Sequence, residues 1–143
     1  MAMVELTEKK HLKFIISQNV DGLHRKSGIP PENMSELHGN TNLEVCAKCG
    51  REHMRDIRVR TAKNVKEHAT GRTCDTPSCG GELRDTIINF GENLNENILD
   101  LGFQNCAAAD LCLVMGTSLR VSPACDMPKL TAEKGGNLVI CNL

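Results

Sequence analysis

The sequence predicts an α/β protein with a parallel sheet, interrupted by a small inserted metal-binding module. Three short apolar runs, at residues 14–16, 111–115 and 138–141, predict buried strands. Segments with helical periodicity lie between these strands, as expected for a parallel sheet. Between residues 46 and 82 the apolar periodicity fades and glycines punctuate the chain. We therefore expect this stretch to form a separate insert.

The helical segments follow from apolar spacing. Residues 2–12 predict a short amphipathic helix that leads into the first strand. After the insert, residues 83–90 predict an extended segment, and residues 93–109 carry apolar side chains on one helical face. Residues 125–134 predict a further helix, because two glycines follow it.

Composition narrows the function classes. The net charge is −1 over 143 residues, so no electrostatic footprint for nucleic acid or an anionic membrane stands out. No apolar run approaches the roughly 20 residues that a bilayer requires, and the amino terminus is too charged for a signal peptide. Tryptophan and tyrosine are absent, which disfavours stacking on bases. These features predict a soluble, intracellular protein.

Four cysteines come as two close pairs, which predicts a structural zinc site. The ligands are Cys46, Cys49, Cys74 and Cys79. Four thiolates fill a tetrahedral zinc site and leave no position for water, so the metal is expected to hold a polar segment together. Free cysteines and disulfides are the alternatives. His53 or His68 could replace one cysteine as a ligand, although histidines in such positions are more often solvated.

Polar side chains follow the first predicted strand. Gln18, Asn19 and Asp21 place two carboxamides and a carboxylate at this strand end, where they can hydrogen-bond an amide or a ribose. An Asx-rich turn closed by Gly22 explains the same residues equally well. The segment alone leaves both interpretations open.

Two further loops carry candidate functional groups. His38 precedes Gly39 in a turn and can act as a base near neutral pH, although a lone histidine is more often structural. Gly116, Thr117 and Ser118 follow the second strand and offer amides and hydroxyls to a phosphate or ribose. Each of these signals is weak when taken alone.

The order of these motifs resembles that of the sirtuins, a family of NAD-dependent protein deacylases. Gln-Asn-Val-Asp-Gly-Leu-His is followed by Glu-Leu-His-Gly, the paired cysteines, Phe-Gly-Glu, Gly-Thr-Ser-Leu and a final apolar strand. The resemblance covers the chain from about residue 14 onward. The long insert between the cysteine pairs is most like the nuclear, chromatin-associated branch of the family.

The resemblance implies a partial Rossmann-like domain for NAD, made of residues 1–45 and 83–143, with a zinc-binding module at residues 46–82. It implies NAD and Zn²⁺ as cofactors, and transfer of an acyl group from lysine to ADP-ribose with release of nicotinamide. The implied partner is an acyl-lysine protein such as a histone, and the implied location is the nucleus. The substrate protein and the oligomeric state stay open.

The resemblance also assigns roles to individual residues. His38 matches the catalytic base, which accepts a proton from the cofactor ribose. The residues implied to contact the cofactor are Gln18, Asn19, Asp21, Gly116, Thr117, Ser118, Asn142 and Leu143. Phe90, Gly91 and Glu92 match the segment that pairs with an extended substrate peptide. Asn89 departs from the apolar or aromatic residue that many members carry there, so the acyl preference is open.

Two segments that the family uses for NAD are missing from this sequence. The Gly-Ala-Gly loop and the Gly-Ile-Pro-Asp-Phe-Arg segment, which lie upstream in the family, do not occur here. The chain also stops directly after a predicted strand, so we expect it to be a fragment. A different class of function stays open, namely a catalytically incomplete zinc module that binds a protein partner.

Overall fold

The computed structural model describes residues 2–143. Its α-helices are α1 (Ala2–Glu8), α2 (Leu23–Lys26), α3 (Glu96–Ala108) and α4 (Met127–Glu133), and a 3₁₀ turn spans Pro31–Asn33. The strands are β1 (Ile15–Ser17), β2 (Met34–Glu36), β3 (Leu43–Cys46), β4 (Glu52–Met54), β5 (Ala69–Thr73), β6 (Glu82–Asp85), β7 (Leu111–Met115) and β8 (Asn137–Cys141).

Parallel strand pairs confirm the α/β prediction. β1 pairs with β2 so that Ser17 lies opposite Glu36, and β7 pairs with β8 so that Met115 lies opposite Cys141. Within residues 2–143 these pairs form two separate ladders, and β2 was not predicted. The strand was missed because two of its three residues, Ser35 and Glu36, are polar although all three are buried.

The prediction that β7 is buried was wrong for one of its faces. Leu111, Leu113 and Met115 are 55%, 53% and 57% exposed, whereas Val114 on the opposite face is 7% exposed. Successive side chains of a strand point to opposite faces, and α4 contacts the β7–β8 pair. Only alternate side chains of β7 are therefore covered. The prediction that residues 138–141 are buried was also wrong, since Val139 and Ile140 on the two faces of β8 are 47% and 54% exposed.

The insert is a four-stranded antiparallel sheet in the order β4-β3-β6-β5. It runs from Leu43 to Asp85, slightly wider than the predicted range 46–82. The side chain of Glu44 is fully buried here and forms ion pairs of 2.8 Å with both Arg55 and Arg72. These pairs connect β3 to the residue after β4 and to strand β5.

The predicted helices are present with shorter bounds. α3 begins at Glu96 because the Asn95 side chain accepts hydrogen bonds from the N–H groups of Asn97 and Ile98. The final predicted helix begins at Met127 rather than at residue 125, since turns occupy the residues before it. The extended segment predicted for residues 83–90 keeps strand geometry only as far as Asp85.

The chain has two buried clusters of different character. The first packs α3 and α4 against β1 and the end of β2, around Leu37, Cys106 and Met127. The second contains three cysteines of the zinc motif and Leu83. A cluster made mostly of thiols offers little apolar burial, which agrees with a module that a metal stabilises. No helix within residues 2–143 has the length and apolarity needed to cross a membrane.

Candidate functional site

The parallel register of β1 and β2 brings two predicted functional segments to one edge. Ser17 and Glu36 are partners at the ends of these strands, and the N–H of Leu37 donates to the carbonyl of Ser17 over 3.0 Å. Gln18 and His38 therefore leave the same edge of the ladder. Carboxyl ends of parallel strands are where α/β proteins usually bind ligands.

The imidazole of His38 is fixed by a backbone carbonyl. Its Nδ1 lies 3.0 Å from the carbonyl oxygen of Gln18, and the side chain is half-buried. Because a carbonyl oxygen can only accept, Nδ1 carries the hydrogen. In the neutral ring Nε2 then keeps the lone pair that a general base needs.

Gly39 allows His38 to lie close to the segment after β6. Its φ is +79°, and a Cβ at this position would lie 1.8 Å from the carbonyl oxygen of Thr86. The N–H of Ile88 also donates to the carbonyl of His38 over 3.1 Å. Only glycine fits this contact, which joins the turn at His38 to the segment that leads to Phe90.

The loop after β7 meets the same edge through one side-chain contact. The Thr117 hydroxyl donates to Oε1 of Gln18 over 3.0 Å, and the N–H of Gly116 donates to the carbonyl of Cys141 over 3.2 Å. Ser118, Asn142 and Leu143 are exposed at the ends of β7 and β8. The structure thus links the predicted cofactor residues of the two ladders.

Asn19 and Asp21 make local contacts on the exposed side of the loop. The N–H of Asn19 donates to Ser17 Oγ over 3.2 Å, and Asp21 Oδ1 accepts from the N–H of Leu23 over 3.0 Å at the start of α2. The Asp21 contact has the form of the Asx turn considered above. Both residues also line a cavity of about 340 Å³ between this loop and α1.

A buried polar cluster lies behind His38, and sequence reasoning missed it. Asn40 is fully buried and its Nδ2 donates to Glu36 Oε1 over 2.8 Å, while Arg25 Nε lies 3.1 Å from Glu36 Oε2. Burial raises the pKa of Glu36 despite the nearby Arg25. Neither spacing nor composition signals this cluster, since its members lie on a turn, a strand and a short helix.

The four predicted zinc ligands converge in the insert. The sulfur atoms of Cys46, Cys49, Cys74 and Cys79 all lie within 4.8 Å of one another, with 3.6 Å between Cys46 and Cys79 and 3.8 Å between Cys49 and Cys74. A tetrahedral ion with Zn–S bonds of about 2.3 Å requires sulfur separations of about 3.8 Å. The cysteine cluster therefore fits a zinc site.

The local backbone favours a thiolate at Cys46, whereas the pKa of the Cys79 thiol is raised to about 11 by its burial and by the neighbouring thiols. The N–H groups of Cys49 and Lys48 point at Cys46 Sγ, and the pKa of the Cys46 thiol is lowered to about 6, chiefly by the Cys49 N–H. Gly81 lies so close that a Cβ would be 2.7 Å from the same sulfur. Deprotonated sulfur is the form that binds the metal.

Of the two candidate histidine ligands, His53 lies beside one of the four sulfurs and His68 has other partners. His53 Nε2 is 3.5 Å from Cys74 Sγ, and its Nδ1 is 3.5 Å from Asp75 Oδ1. His68 contacts Asp85 and Glu92 instead. Four cysteines therefore complete the site, with His53 placed next to one of them.

The predicted substrate segment forms a tight turn beside the insert. The N–H of Glu92 donates to the carbonyl of Asn89 over 3.1 Å, and Phe90 at the tip is 96% exposed. Gly91 has a φ of +84°. The turn follows the segment whose Ile88 N–H contacts the His38 carbonyl, and its tip is exposed to solvent.

These features define a class of protein: an α/β protein with a histidine and amide side chains at a parallel strand edge and a cysteine-built zinc module inserted beside it. The Sir2 family model matches residues 1–123. The chain belongs to the Sir2 family.

Individual relatives agree with this membership. An Arabidopsis thaliana protein named NAD-dependent protein deacetylase SRT1 is 47% identical over 143 residues, which are 100% of this chain and 30% of that protein. A Drosophila melanogaster protein named NAD-dependent protein deacetylase Sirt6 is 38% identical over 150 residues, covering 100% of this chain and 46% of that protein. The chain thus spans between about a third and a half of these relatives.

Solved structures show the same fold. A Sir2 homologue in complex with NAD matches with a TM-score of 0.71 and 31% identity, over 97% of this chain and 50% of that chain. Sir2Tm bound to a propionylated peptide matches with a TM-score of 0.70 and 34% identity, over 99% of this chain and 56% of that chain.

Proposed function

We propose that the protein containing this chain is an NAD-dependent protein-lysine deacetylase of the nuclear, chromatin-associated type. The observation that carries the proposal is the hydrogen bond from His38 Nδ1 to the Gln18 carbonyl, which leaves Nε2 as the proton acceptor. The names of the relatives and the solved complexes with NAD and an acylated peptide support the same reaction.

We propose that the chain is divided between two domains. Residues 1–45 and 83–143 contribute to the NAD-binding domain, and residues 46–82 form the zinc-binding module. Zinc has a structural role, because four thiolates leave no coordination position for a reactant. The ligands are Cys46, Cys49, Cys74 and Cys79.

The proposed chemistry takes place at the strand edge. NAD, when bound, supplies the ribose that receives the acyl group as nicotinamide leaves. His38 accepts a proton from a ribose hydroxyl through Nε2 and is held in position by the Gln18 carbonyl. The proposed contacts to the cofactor are made by Gln18, Asn19, Asp21, Gly116, Thr117, Ser118, Asn142 and Leu143.

Phe90, Gly91 and Glu92 are proposed to bind the acyl-lysine peptide. Their turn is exposed at its tip and is joined to His38 through the Ile88 N–H. An extended peptide beside this segment would pair with its backbone and bring the acyl-lysine towards the base. A histone tail is one peptide of this kind.

The test is the His38→Ala variant of the full-length protein. We expect deacetylation and the coupled release of nicotinamide to fall to background, while the affinity for an acetyl-lysine peptide stays within about twofold. His11→Ala, an exposed position after α1, serves as the matched control and retains turnover. Wild-type turnover in His38→Ala would refute the base assignment.

NAD binding separates this function from that of a zinc module that only binds a protein partner. Calorimetry on the full-length protein should detect NAD binding, and a tagged protein should concentrate in the nucleus. A wild-type protein that neither binds NAD nor deacetylates any acetyl-lysine peptide would favour the interaction module.

A further inference from the structure

A network of charged side chains joins the inserted module to the turn at Asn89–Glu92. Its central group is the Glu92 carboxylate, and the side chain of Glu92 is only 9% exposed. This carboxylate faces its own turn on one side and the insert on the other. The two sides have different partners.

One carboxylate oxygen closes the turn from within. Glu92 Oε2 accepts hydrogen bonds from the backbone N–H of Asn89 over 2.6 Å and from its side-chain amide over 2.9 Å. These bonds, led by the Asn89 N–H, lower the pKa of Glu92 to about 2. Glu92 is therefore charged at physiological pH and holds the shape of the turn.

The other oxygen binds the insert. Glu92 Oε1 accepts from the backbone N–H of Lys66 over 2.6 Å and lies 3.1 Å from His68 Nε2. Lys66 and His68 lie 26 and 24 residues before Glu92 in the chain, just ahead of strand β5. The carboxylate thus bridges two segments with no local connection.

His68 is itself held by buried charges. Its Nδ1 lies 3.2 Å from Asp85 Oδ1 and 3.4 Å from Arg60 Nη1. The side chain of Asp85 is fully buried, and Arg60 Nη1 donates to both of its oxygens over 2.9 and 3.2 Å. A carboxylate oxygen can only accept, so Nε2 carries a hydrogen and donates it to Glu92 Oε1.

We propose that His68 is a positioning residue, which clamps the Glu92 carboxylate to the inserted module and so fixes the turn that presents Phe90 and Gly91 to the substrate peptide. This inference rests on the proposed function of that turn. It gives the insert a role in substrate binding in addition to holding zinc. A fixed turn lowers the ordering cost that peptide binding would otherwise carry.

The geometry distinguishes this clamp from an ordinary surface ion pair. An exposed pair contributes little because its partners are already solvated. Here the histidine is 21% exposed, and it rests on an aspartate whose side chain is fully buried. His68 therefore has few other orientations available, and its Nε2 stays in position to hydrogen-bond Glu92.

The experiment compares His68→Phe and His68→Gln in the full-length protein. Phenylalanine keeps a ring but cannot donate, whereas the glutamine amide can reach Glu92 with an N–H. His11→Phe is the matched control, since His11 is exposed outside the network. Amide hydrogen exchange is measured at Asn89 and Lys66, whose N–H groups bind Glu92, and peptide affinity is measured by fluorescence anisotropy with an acetyl-lysine peptide.

We expect His68→Phe to speed exchange at both amides by about tenfold and to weaken peptide binding by about three- to tenfold, as expected for the loss of one charge-assisted hydrogen bond. NAD affinity and zinc content should stay near wild-type values, and the melting temperature should fall only slightly, because three of the four contacts to Glu92 remain. His68→Gln should bring both the exchange rates and the peptide affinity most of the way back to the wild-type values. A merely structural role would change the melting temperature instead of the peptide affinity.

Each result decides the proposal. Unchanged exchange in His68→Phe would overturn the clamp. Faster exchange with unchanged peptide affinity would overturn the positioning role. If the wild-type protein binds no acetyl-lysine peptide, the proposed function fails together with the substrate role of the turn, and the exchange data still show whether His68 holds Glu92.

Discussion

Thr117 donates a hydrogen bond to the side-chain carbonyl of Gln18 over 3.0 Å, although the two residues lie 99 positions apart in the chain. This contact joins the end of β1 to the loop after β7. The carboxyl ends of the two parallel ladders are therefore in contact, even though no strand of one pairs with a strand of the other within residues 2–143.

Thr117→Val removes this bond while keeping the shape of the side chain. We expect a loss of about 1 kcal/mol in the free energy of unfolding, because one half-buried hydrogen bond disappears and Gln18 Oε1 loses its donor. NAD affinity should fall several-fold in the full-length protein. Denaturant titration and calorimetry measure the two effects, and Thr73→Val, at an exposed position whose hydroxyl makes no hydrogen bond within residues 2–143, should change neither.

Metal analysis of protein purified without chelator should give about one zinc per chain. Cys74→Ser should lower zinc affinity by more than the roughly 10- to 100-fold typical of losing an outer-shell partner, because it removes a ligand itself. A chelator should first increase hydrogen exchange between residues 46 and 79. Cys141→Ser, outside the cluster, should retain the metal; protein without zinc would refute the site.

Glu44→Gln should destabilise the inserted sheet. The variant leaves Arg55 and Arg72 without their buried partner, and breaking a buried ion pair typically costs about 3–5 kcal/mol. Both arginines are about one-third exposed and can regain water, so we expect the lower end of this range. Glu82→Gln is the control, since its exposed pair with Arg84 should contribute less than about 1 kcal/mol. Equal melting temperatures would contradict this prediction.

The Glu92 clamp predicts a defined pH dependence. The folded-state pKa of Glu92 is lowered from 4.5 to about 2. A lowered carboxyl pKa means that the group stabilises the fold above about pH 4.5 and that this contribution is lost as the pH falls towards 2. The stability difference between wild type and Glu92→Gln should therefore shrink across this window in denaturant titrations. Glu8→Gln, at an exposed position, should show no such trend.

Sequence patterns among nearby residues predicted several elements of the fold and of the candidate site. The cysteine spacing predicted which four sulfur atoms come together, and apolar periodicity located α3 and the strands β7 and β8. The parallel arrangement followed from the alternation of strands and helices. These features need only neighbouring residues to be specified, and so they were predictable.

Features set by distant residues were not predictable. β2 was missed because its burial comes from packing against α3 rather than from apolar composition. The exposed face of β7 shows that an apolar run does not reveal which side is covered. His68 was considered only as a solvated side chain or a zinc ligand, since nothing in its sequence neighbourhood indicates that Glu92 lies 3.1 Å away. The contact between Gln18 and Thr117 depends on tertiary structure in the same way.

The almost complete exposure of Phe90 has an optical consequence. The chain contains no tryptophan or tyrosine, so its own near-ultraviolet fluorescence is minimal. Phe90→Trp would place a single indole at the tip of a turn whose base is held by four hydrogen-bond contacts to Glu92. Its emission would report directly on the solvent at that tip, and a blue shift on adding a peptide would show that this part of the molecule had been covered.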